Sequence, residues 1–215
     1  RRSPSAGPLA DGADVAGRVR AYEAGGAAAV SVLTDVAFDG ALGDLGTARK
    51  AMALPILRKD FLVDPWQIWE SRCAGADAAL VIMAAVDDDA LEGIVAAARE
   101  AGLGLLIEVH GPHEAQRLPA DAAHVIGVNA RNLETLEVSV DGGLAVLATL
   151  RERHGPMATL IAESGIRAPA DVARAAAAGA DAVLVGEHLM RAADPAGAVA
   201  ALAGTSRDHE RGPAA

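Results

Sequence analysis

Short apolar runs alternate with longer segments of mixed character along almost the whole chain. Seven runs have the length and composition of buried strands, and each is followed by a segment whose apolar positions recur at helical spacing. This alternation is typical of right-handed βαβ units, in which helices cover a parallel sheet. The predicted strands are Ala27–Leu33, a run ending at Lys59, Ala78–Met83, Gly104–Val109, His124–Val128, Thr159–Ala162 and Ala182–Val185.

Most of the predicted helices lie between these strands. The sequence Ala-Gly-Ala-Asp ends a helix and precedes a strand twice, at Ala74–Asp77 and Ala178–Asp181, and glycine suits such a helix end. The predicted helices are Ala13–Gly25, Leu42–Met52, Pro65–Ala74, Asp88–Ala101, Pro112–Leu118, Asp141–Arg153, Pro169–Ala178, Glu187–Arg191 and Ala196–Leu202.

The number of strands leaves two architectures open. Seven parallel strands fit an open sheet, or a closed (β/α) barrel that lacks one of its eight strands. The chain opens on a turn-rich segment with no strand before it, so we expect its N-terminal unit to be missing. Residues 1–204 are predicted to form this one truncated domain. The charged residues 205–215, which also contain Gly and Pro, are predicted to be a disordered tail.

Composition narrows the classes of partner. With 215 residues, 52% of them hydrophobic, the chain is one large domain. Its net charge of −10 argues against nucleic acid or an anionic membrane as a general partner. No apolar run approaches the roughly 18 residues of a membrane span. A single cysteine, Cys73, leaves no internal disulfide, and we expect it to lie in the core of a protein of the reducing cytoplasm.

Lys59 ends an apolar run, where burying an ammonium group is costly without a partner. At the carboxyl end of a parallel strand, this lysine points to the edge at which α/β folds hold their active sites. A lysine beside carboxylates in a partly dry cavity can act as a general acid, and a glutamate with a raised pKa can transfer protons. Five other strands also end near polar residues or glycine, at Thr34, Glu108, Asn129 with Arg131, Glu163-Ser164-Gly165 and Gly186-Glu187.

Two of these strand ends predict a phosphate site. Ser164-Gly165 and Gly186-Glu187 follow adjacent strands and precede helix N-termini, whose backbone N–H groups bind anions. The loops after the last two strands are the usual phosphate site of a barrel. Glu187 fits there only if its carboxylate turns away from the phosphate. A plain turn is the alternative explanation for each glycine.

Other interpretations of these residues stay open at this point. Glu108 could be a structural ion-pair partner of Lys59 without a chemical role. The motif His110-x-x-His113-Glu114 lacks a third metal ligand of clear spacing, so we predict no metal site. Phe38 and Phe61, the two phenylalanines of the chain, both follow strand ends, which favours the wall of a cavity for an aromatic ring over simple packing.

Taken in order, seven runs closely resemble indole-3-glycerol phosphate synthase, a (β/α)8 TIM barrel of tryptophan biosynthesis. The resemblance implies closure of 1-(2-carboxyphenylamino)-1-deoxyribulose 5-phosphate to indole-3-glycerol phosphate with loss of CO2 and water, without a cofactor or metal. The runs span essentially the whole chain and are Ser3-Pro4-Ser5, Ser31–Asp35, Leu57–Phe61, Ile107–Val109, Gly127–Leu133, Glu163–Ile166 and Leu184–Gly186.

The resemblance also implies a role for each matching residue. Lys59 matches a general acid that polarises the ribulose carbonyl, and Glu108 matches a glutamate that handles protons during dehydration. Asn129 and Arg131 match residues that position the anthranilate end, and Glu163 matches a supporting carboxylate. Phe38 and Phe61 match the apolar wall around the aromatic ring. The residues that match the phosphate site are Ser3, Ser164, Gly165, Gly186 and Glu187. The expected partner is the phosphosugar substrate, and fusion to or association with other enzymes of the pathway stays open.

The sequence departs from the family pattern at one important position. The family motif carries a second catalytic lysine three residues before the Ser of Ser-Pro-Ser, which here would fall immediately before Arg1. An arginine at position 1 or 2 is a poor proton donor. We therefore expect a fragment that is weakly active or inactive alone, with exposed strand edges that favour dimerisation or poor solubility.

Two other functions compete with the synthase. Another phosphate-binding barrel, such as a phosphosugar isomerase or cyclase, would rely on an Asp pair or a Cys/Asp pair. The ordered set of Lys59, Glu108 and Asn129 speaks against that class. A non-catalytic barrel that binds a phosphosugar is supported only by the absent lysine, and binding without turnover would identify it.

Overall fold

The computed structural model describes residues 14–118, 125–133 and 135–204, together with the backbone of residues 2–3 and 7–8. Seven parallel strands form one sheet, in which neighbours in sequence are neighbours in space. Before it, β1 (Arg2–Ser3) and β2 (Gly7–Pro8) pair antiparallel. The strands of the sheet are β3 (Val30–Leu33), β4 (Ile56–Lys59), β5 (Ala78–Ile82), β6 (Gly104–Val109), β7 (Val125–Asn129), β8 (Thr159–Glu163) and β9 (Ala182–Leu184).

Helices connect successive strands, which confirms the predicted alternation. Parallel neighbours need such crossovers, because the chain must return to the opposite end of the sheet before each new strand. Within the part of the chain that the structure describes, no helix is long and apolar enough to cross a membrane. The helices there are α1 (Val15–Ala24), α2 (Gly43–Ala51), α3 (Trp66–Cys73), α4 (Asp88–Ala101), α5 (Pro112–Arg117), α6 (Val140–His154), α7 (Pro169–Ala177), α8 (Glu187–Arg191) and α9 (Pro195–Ala203).

Both faces of the sheet are apolar, because one faces the helices and the other faces an interior. Successive side chains of a strand point to opposite faces. Ile107 therefore packs among the helices, whereas Leu80, Ile82 and Leu106 form a separate inner cluster. Inner residues of strands far apart in the order pack against this same cluster, so the sheet curls around it. These residues are Leu57 on β4, Val125 on β7, Ile161 on β8 and Leu184 on β9.

The first Ala-Gly-Ala-Asp sequence ties the start of β4 to that of β5. Asp77 Oδ2 accepts the backbone N–H of Ile56 at 2.7 Å and also pairs with Arg49 of α2. The Arg49 guanidinium donates in addition to the carbonyls of Gly75 and Leu54. One arginine and one aspartate thus satisfy backbone groups of the end of α3 and of the start of β4.

The second copy of the sequence builds the same arrangement at β8 and β9. Asp181 Oδ2 accepts the backbone N–H of Leu160 at 2.8 Å and pairs with Arg151 of α6. Arg151 donates to the carbonyls of Gly179 at 2.8 Å and Ala158 at 3.0 Å. The repeated motif therefore marks a repeated anchor at the amino-terminal end of the sheet.

β3 and β9 are the two ends of the sheet. Among the described residues they pair with β4 and β8 respectively, and not with each other. The interior between them is a cavity of about 1340 Å³. Its lining includes Lys59, Glu108 and Glu163 at the carboxyl end of the strands.

Cys73 was predicted to be buried, and this was wrong: it is exposed. α3 buries Ile68 and Ser71, and Cys73 lies about 200° around the helix from Ser71, on the solvent side. β3 begins at Val30 rather than Ala27, after a turn that follows α1. The predicted tail 205–215 and the side chain of Ser3 lie outside the described residues.

Candidate active site

Three ionisable side chains meet at the carboxyl end of alternate strands. Lys59 ends β4, and its Nζ lies 3.2 Å from Glu108 Oε2 and 3.7 Å from Glu163 Oε2. Glu108 comes from β6 and Glu163 ends β8. Alternate strands of a curled parallel sheet contribute side chains to one layer, which explains why residues so distant in sequence meet. The sequence predicted that these three residues lie together, and the structure brings them together.

Asn129, the last residue of β7, joins this layer to the loops around it. Its Nδ2 donates to Glu108 Oε1 at 3.0 Å. Its Oδ1 accepts the Ser164 hydroxyl at 2.7 Å and the backbone N–H of Arg131 at 3.0 Å. These bonds fix which way the amide points, so Asn129 presents a donor to the glutamate and an acceptor to the loops.

Glu108 and Glu163 differ in charge although both are buried. Burial opposes ionisation of Glu108, but contacts with His110, Lys59 and Asn129 outweigh it and hold the pKa of Glu108 well below its usual range. Burial and the negative charge of Glu108 raise the pKa of Glu163 to about 8. At neutral pH the pair therefore consists of an ionised Glu108 and a largely protonated Glu163.

Lys59 remains charged beside this pair. Burial lowers its pKa, but the attraction of Glu163 and Glu108 is larger in sum and raises the pKa above the usual value. Its side chain is 29% exposed, whereas the two glutamates are nearly inaccessible. The ammonium group is thus the member of the layer that faces the cavity, which suits a proton donor to a bound molecule.

His110 belongs to the site, and the sequence did not predict this. Its Nε2 lies 3.1 Å from Glu108 Oε1, and its Nδ1 lies 3.2 Å from Glu114 Oε2 in the first turn of α5. The signal in the sequence was its place two residues after Glu108, just past the end of β6. In the sequence, His110 stands out only as part of the motif His110-x-x-His113-Glu114.

Gly127 is a second residue that sequence reasoning missed. It lies in the middle of β7, and a Cβ atom there would stand 2.1 Å from Glu163 Oε1. The absence of a side chain leaves the space that the Glu163 carboxyl group occupies. A glycine inside an otherwise apolar strand was the available signal, because such a glycine often marks a close approach.

A buried arginine supports Lys59 from behind. Arg58, its neighbour on β4, points away from the interior and donates to Glu70 at 2.7 Å and Asp60 at 2.9 Å. The Thr34 hydroxyl donates to the same Asp60 oxygen at 2.6 Å. This network fixes the backbone on both sides of Lys59, and no pattern in the sequence predicted it.

Phe38 and Phe61 lie together at the mouth of the cavity. Their ring centroids are 6.5 Å apart with a tilt of 34°. Both line the cavity that contains Lys59, and Phe61 is exposed. An aromatic pair that lines the cavity beside a charged centre offers an apolar surface to a flat ring.

Four of the predicted phosphate residues, Ser164, Gly165, Gly186 and Glu187, line the same cavity. Ser164 and Gly165 have positive φ angles of 66° and 77°, which is unusual for a serine and is a form of strain found at functional sites. Gly186 precedes α8. Glu187 lies 3.3 Å from Arg191 Nε and 4.0 Å from Arg131 Nη2, so its carboxylate turns toward cations.

Solved structures share this fold at low sequence identity. A 3-hexulose-6-phosphate synthase aligns with a TM-score of 0.72 and 21% identity, over 89% of this chain and 91% of the other. A thiamine phosphate pyrophosphorylase from Pyrococcus furiosus aligns with a TM-score of 0.67 and 19% identity, over 88% of each chain. At these identities the likeness concerns the fold alone.

Sequence comparison gives the family. A sequence model of indole-3-glycerol phosphate synthase matches residues 1–202. The enzymes of that name from Nocardioides sp. and Rhodococcus opacus are 51% and 50% identical to this chain over 95% and 94% of its length. The chain covers 77% and 74% of those relatives. It belongs to the indole-3-glycerol phosphate synthase family, the carboxy-lyases of tryptophan biosynthesis.

Proposed function

We propose that the layer of Lys59, Glu108 and Glu163 is the catalytic centre of this carboxy-lyase. It would close 1-(2-carboxyphenylamino)-1-deoxyribulose 5-phosphate to indole-3-glycerol phosphate, with loss of CO2 and water. The observation that carries the proposal is a charged lysine facing a cavity between an ionised and a protonated glutamate. Ring closure needs an acid at the carbonyl, and dehydration needs both an acid and a base.

In this mechanism Lys59 donates a proton to the ribulose carbonyl oxygen as the aryl carbon attacks the carbonyl carbon. Glu108 then takes a proton from the CH2 group during dehydration and returns it to the departing hydroxyl. Glu163, protonated at neutral pH, adds no second negative charge beside the substrate carboxylate. Asn129 holds the Glu108 carboxylate through its Nδ2 donor at 3.0 Å.

The substrate is proposed to span the cavity from the aromatic pair to the glycine-containing loops. Phe38 and Phe61 would cover the anthranilate ring, and Arg131 would meet its carboxylate. The Arg131 guanidinium is held by the carbonyl of Leu136 at 3.0 Å, which fixes its direction. The phosphate would bind to backbone N–H groups of the glycine-containing loops, at Ser164, Gly165 and Gly186, and to Ser3. The carboxylate of Glu187 would be turned away from it.

We also propose that residues 1–204 are most of a (β/α)8 barrel, with a first strand between β9 and β3. Each of these two strands has one parallel neighbour among the described residues, and an open edge leaves backbone groups to be paired. The curl of the sheet around Leu80, Ile82 and Leu106 supports closure.

Product formation, followed by indole fluorescence, tests the proposed centre. In the protein extended by the proposed first strand, we expect Lys59→Ala to lower kcat by about 100-fold or more, because the acid for ring closure is lost. Lys50→Ala is the matched control: Lys50 is the other lysine of this sequence and is exposed on α2.

Two results would contradict the proposal. Turnover by Lys59→Ala equal to that of the Lys50→Ala control would remove Lys59 from the chemistry. Substrate binding by the wild-type protein without any product would favour a non-catalytic phosphosugar-binding barrel instead.

A further inference from the structure

A row of side chains leads from the proposed centre to the surface through His110. Glu108 Oε1 lies 3.1 Å from His110 Nε2, and His110 Nδ1 lies 3.2 Å from Glu114 Oε2. The exposed fraction of these side chains rises outward, from 1% for Glu108 to 11% for His110 and 19% for Glu114. Glu114 also accepts the backbone N–H of His110 at 2.9 Å, which holds the outer carboxylate against the ring.

His110 Nε2 is close to Glu108 without a well-aligned hydrogen bond. The nitrogen is buried and has no partner of good geometry among the described residues, although Glu108 Oε1 is 3.1 Å away. A buried polar atom in this condition needs an explanation, because an unmade bond costs free energy. A small rotation of the ring would make the bond, so the contact can form and break.

The family reaction takes up one proton per turnover when the substrate carboxylate is ionised. Formation of the C–C bond turns the carbonyl into a hydroxyl, which takes one proton. The carboxylate leaves as CO2, and the electron pair of the broken bond restores the aromatic ring. Dehydration adds a second proton to the departing hydroxyl, while the CH2 group gives one up. Two protons enter and one leaves, so solvent must supply one proton.

We propose that His110 carries this proton from solvent to Glu108, which returns it to Lys59. The inference rests on the roles proposed above for Lys59 and Glu108. The Nε2–H bond breaks, its electron pair stays on the ring, and an O–H bond forms on Glu108 Oε1. After the carboxyl group rotates, the proton passes to Lys59 Nζ, which lies 3.2 Å from Glu108 Oε2. A proton from solvent, which reaches the ring past Glu114, then restores the Nε2–H bond and with it the charged imidazole.

The charged groups around His110 suit a donor that is loaded at neutral pH. Burial lowers its pKa, but Glu108 and Glu114 outweigh burial and raise the pKa to about 9. Glu163 and Lys59 are the next ionisable groups, on the inner side of Glu108. Because the charged ring is the donor, kcat should fall as the pH rises through about 9.

The test measures kcat, KM and the pH profile of the extended protein with His110→Ala. We expect kcat to fall by about 10-fold or more with KM unchanged, because proton supply then limits turnover. Added imidazole should restore kcat in a saturable manner by occupying the space of the lost ring. His113→Ala, at an exposed histidine three residues further on, is the matched control and should behave like the wild type.

A structural role would give a different pattern. If His110→Ala keeps the wild-type kcat at every pH, or loses kcat without any response to imidazole, the relay is wrong. If this variant does not fold, Glu114→Gln serves instead: losing the outer carboxylate should move the alkaline limb of kcat to lower pH, and an unmoved limb overturns the proposal.

Wild-type protein and Glu108→Gln are measured in the same series to separate this inference from the proposed function. A wild-type protein that makes no product contradicts the function itself. Full turnover by Glu108→Gln contradicts the role of Glu108. Neither result can arise from failure of the relay alone, since the relay concerns only how the proton is supplied.

Discussion

Glu108 and Glu163 are identical in chemistry, and their neighbours give them different charges. Glu108 faces Lys59, His110 and the Asn129 amide, which all favour its ionised form. Glu163 is buried beside an already negative carboxylate, which favours its protonated form. A site whose two carboxyl groups have well-separated pKa values can provide both an acid and a base at one pH.

Gly127 controls where the Glu163 carboxyl group lies. In Gly127→Ala the new methyl group would occupy the position 2.1 Å from Glu163 Oε1, so the carboxyl group must move. We expect kcat to fall about 10- to 100-fold, because small displacements in an active site have effects of this size. Stability should decrease by about 1 kcal/mol.

The control for this prediction is Gly46→Ala in α2. A Cβ atom at Gly46 meets no atom within 4 Å, and alanine favours the helix. Steady-state kinetics and urea unfolding of both variants check the expectation. Equal kcat for Gly127→Ala and Gly46→Ala would show that the position of the Glu163 carboxyl group does not matter for turnover.

The sequence allowed some residues of the site to be predicted and not others. Lys59, Glu108, Asn129 and Glu163 end or nearly end apolar runs, so their common edge follows from the parallel order of the strands. The part played by His110 depends on Glu114 turning back from the first turn of α5. That contact is set by the angle between a strand and the next helix, and the sequence pattern does not contain such angles.

At the scale of secondary-structure elements, the repeated Ala-Gly-Ala-Asp sequence predicted helix ends but not their anchors. The partners Arg49 and Arg151 lie more than 20 residues before the motif, on another helix. Their interaction forms only when that helix packs beside the strand. The exposure of Cys73 could not be predicted for the same reason, because packing, and not hydrophobicity alone, decides which face of α3 is buried.

Arg151 is expected to be important for stability. Its guanidinium donates to the carbonyls of Gly179 and Ala158 and pairs with Asp181, so Arg151→Ala leaves several groups without their partner. We expect the free energy of unfolding to fall by about 2 to 3 kcal/mol, as for lost hydrogen bonds to charged groups. Urea unfolding measures this value.

Arg20→Ala, at an exposed position of α1, is the control and should change the unfolding free energy by less than about 0.5 kcal/mol. Similar midpoints and slopes for the two variants would mean that the anchor at β8 and β9 contributes nothing to stability.

At the scale of the whole molecule, strand order and fold class followed from the alternating pattern, since parallel neighbours in sequence become neighbours in space. The curl of the sheet did not follow from that pattern. It depends on how Leu80, Ile82 and Leu106 fill the interior together with residues from strands on both sides. The curl is what brings the ends of β4, β6 and β8 within reach of one another.

The most direct test of the account is the single-turnover rate of Glu108→Gln and Glu163→Gln in the extended protein at neutral pH. An amide cannot replace an ionised glutamate but resembles a protonated one. We predict that Glu108→Gln lowers the rate by about 100-fold or more and Glu163→Gln by about 10-fold or less. A larger loss in Glu163→Gln than in Glu108→Gln would contradict the charge assignment on which the proposed mechanism depends.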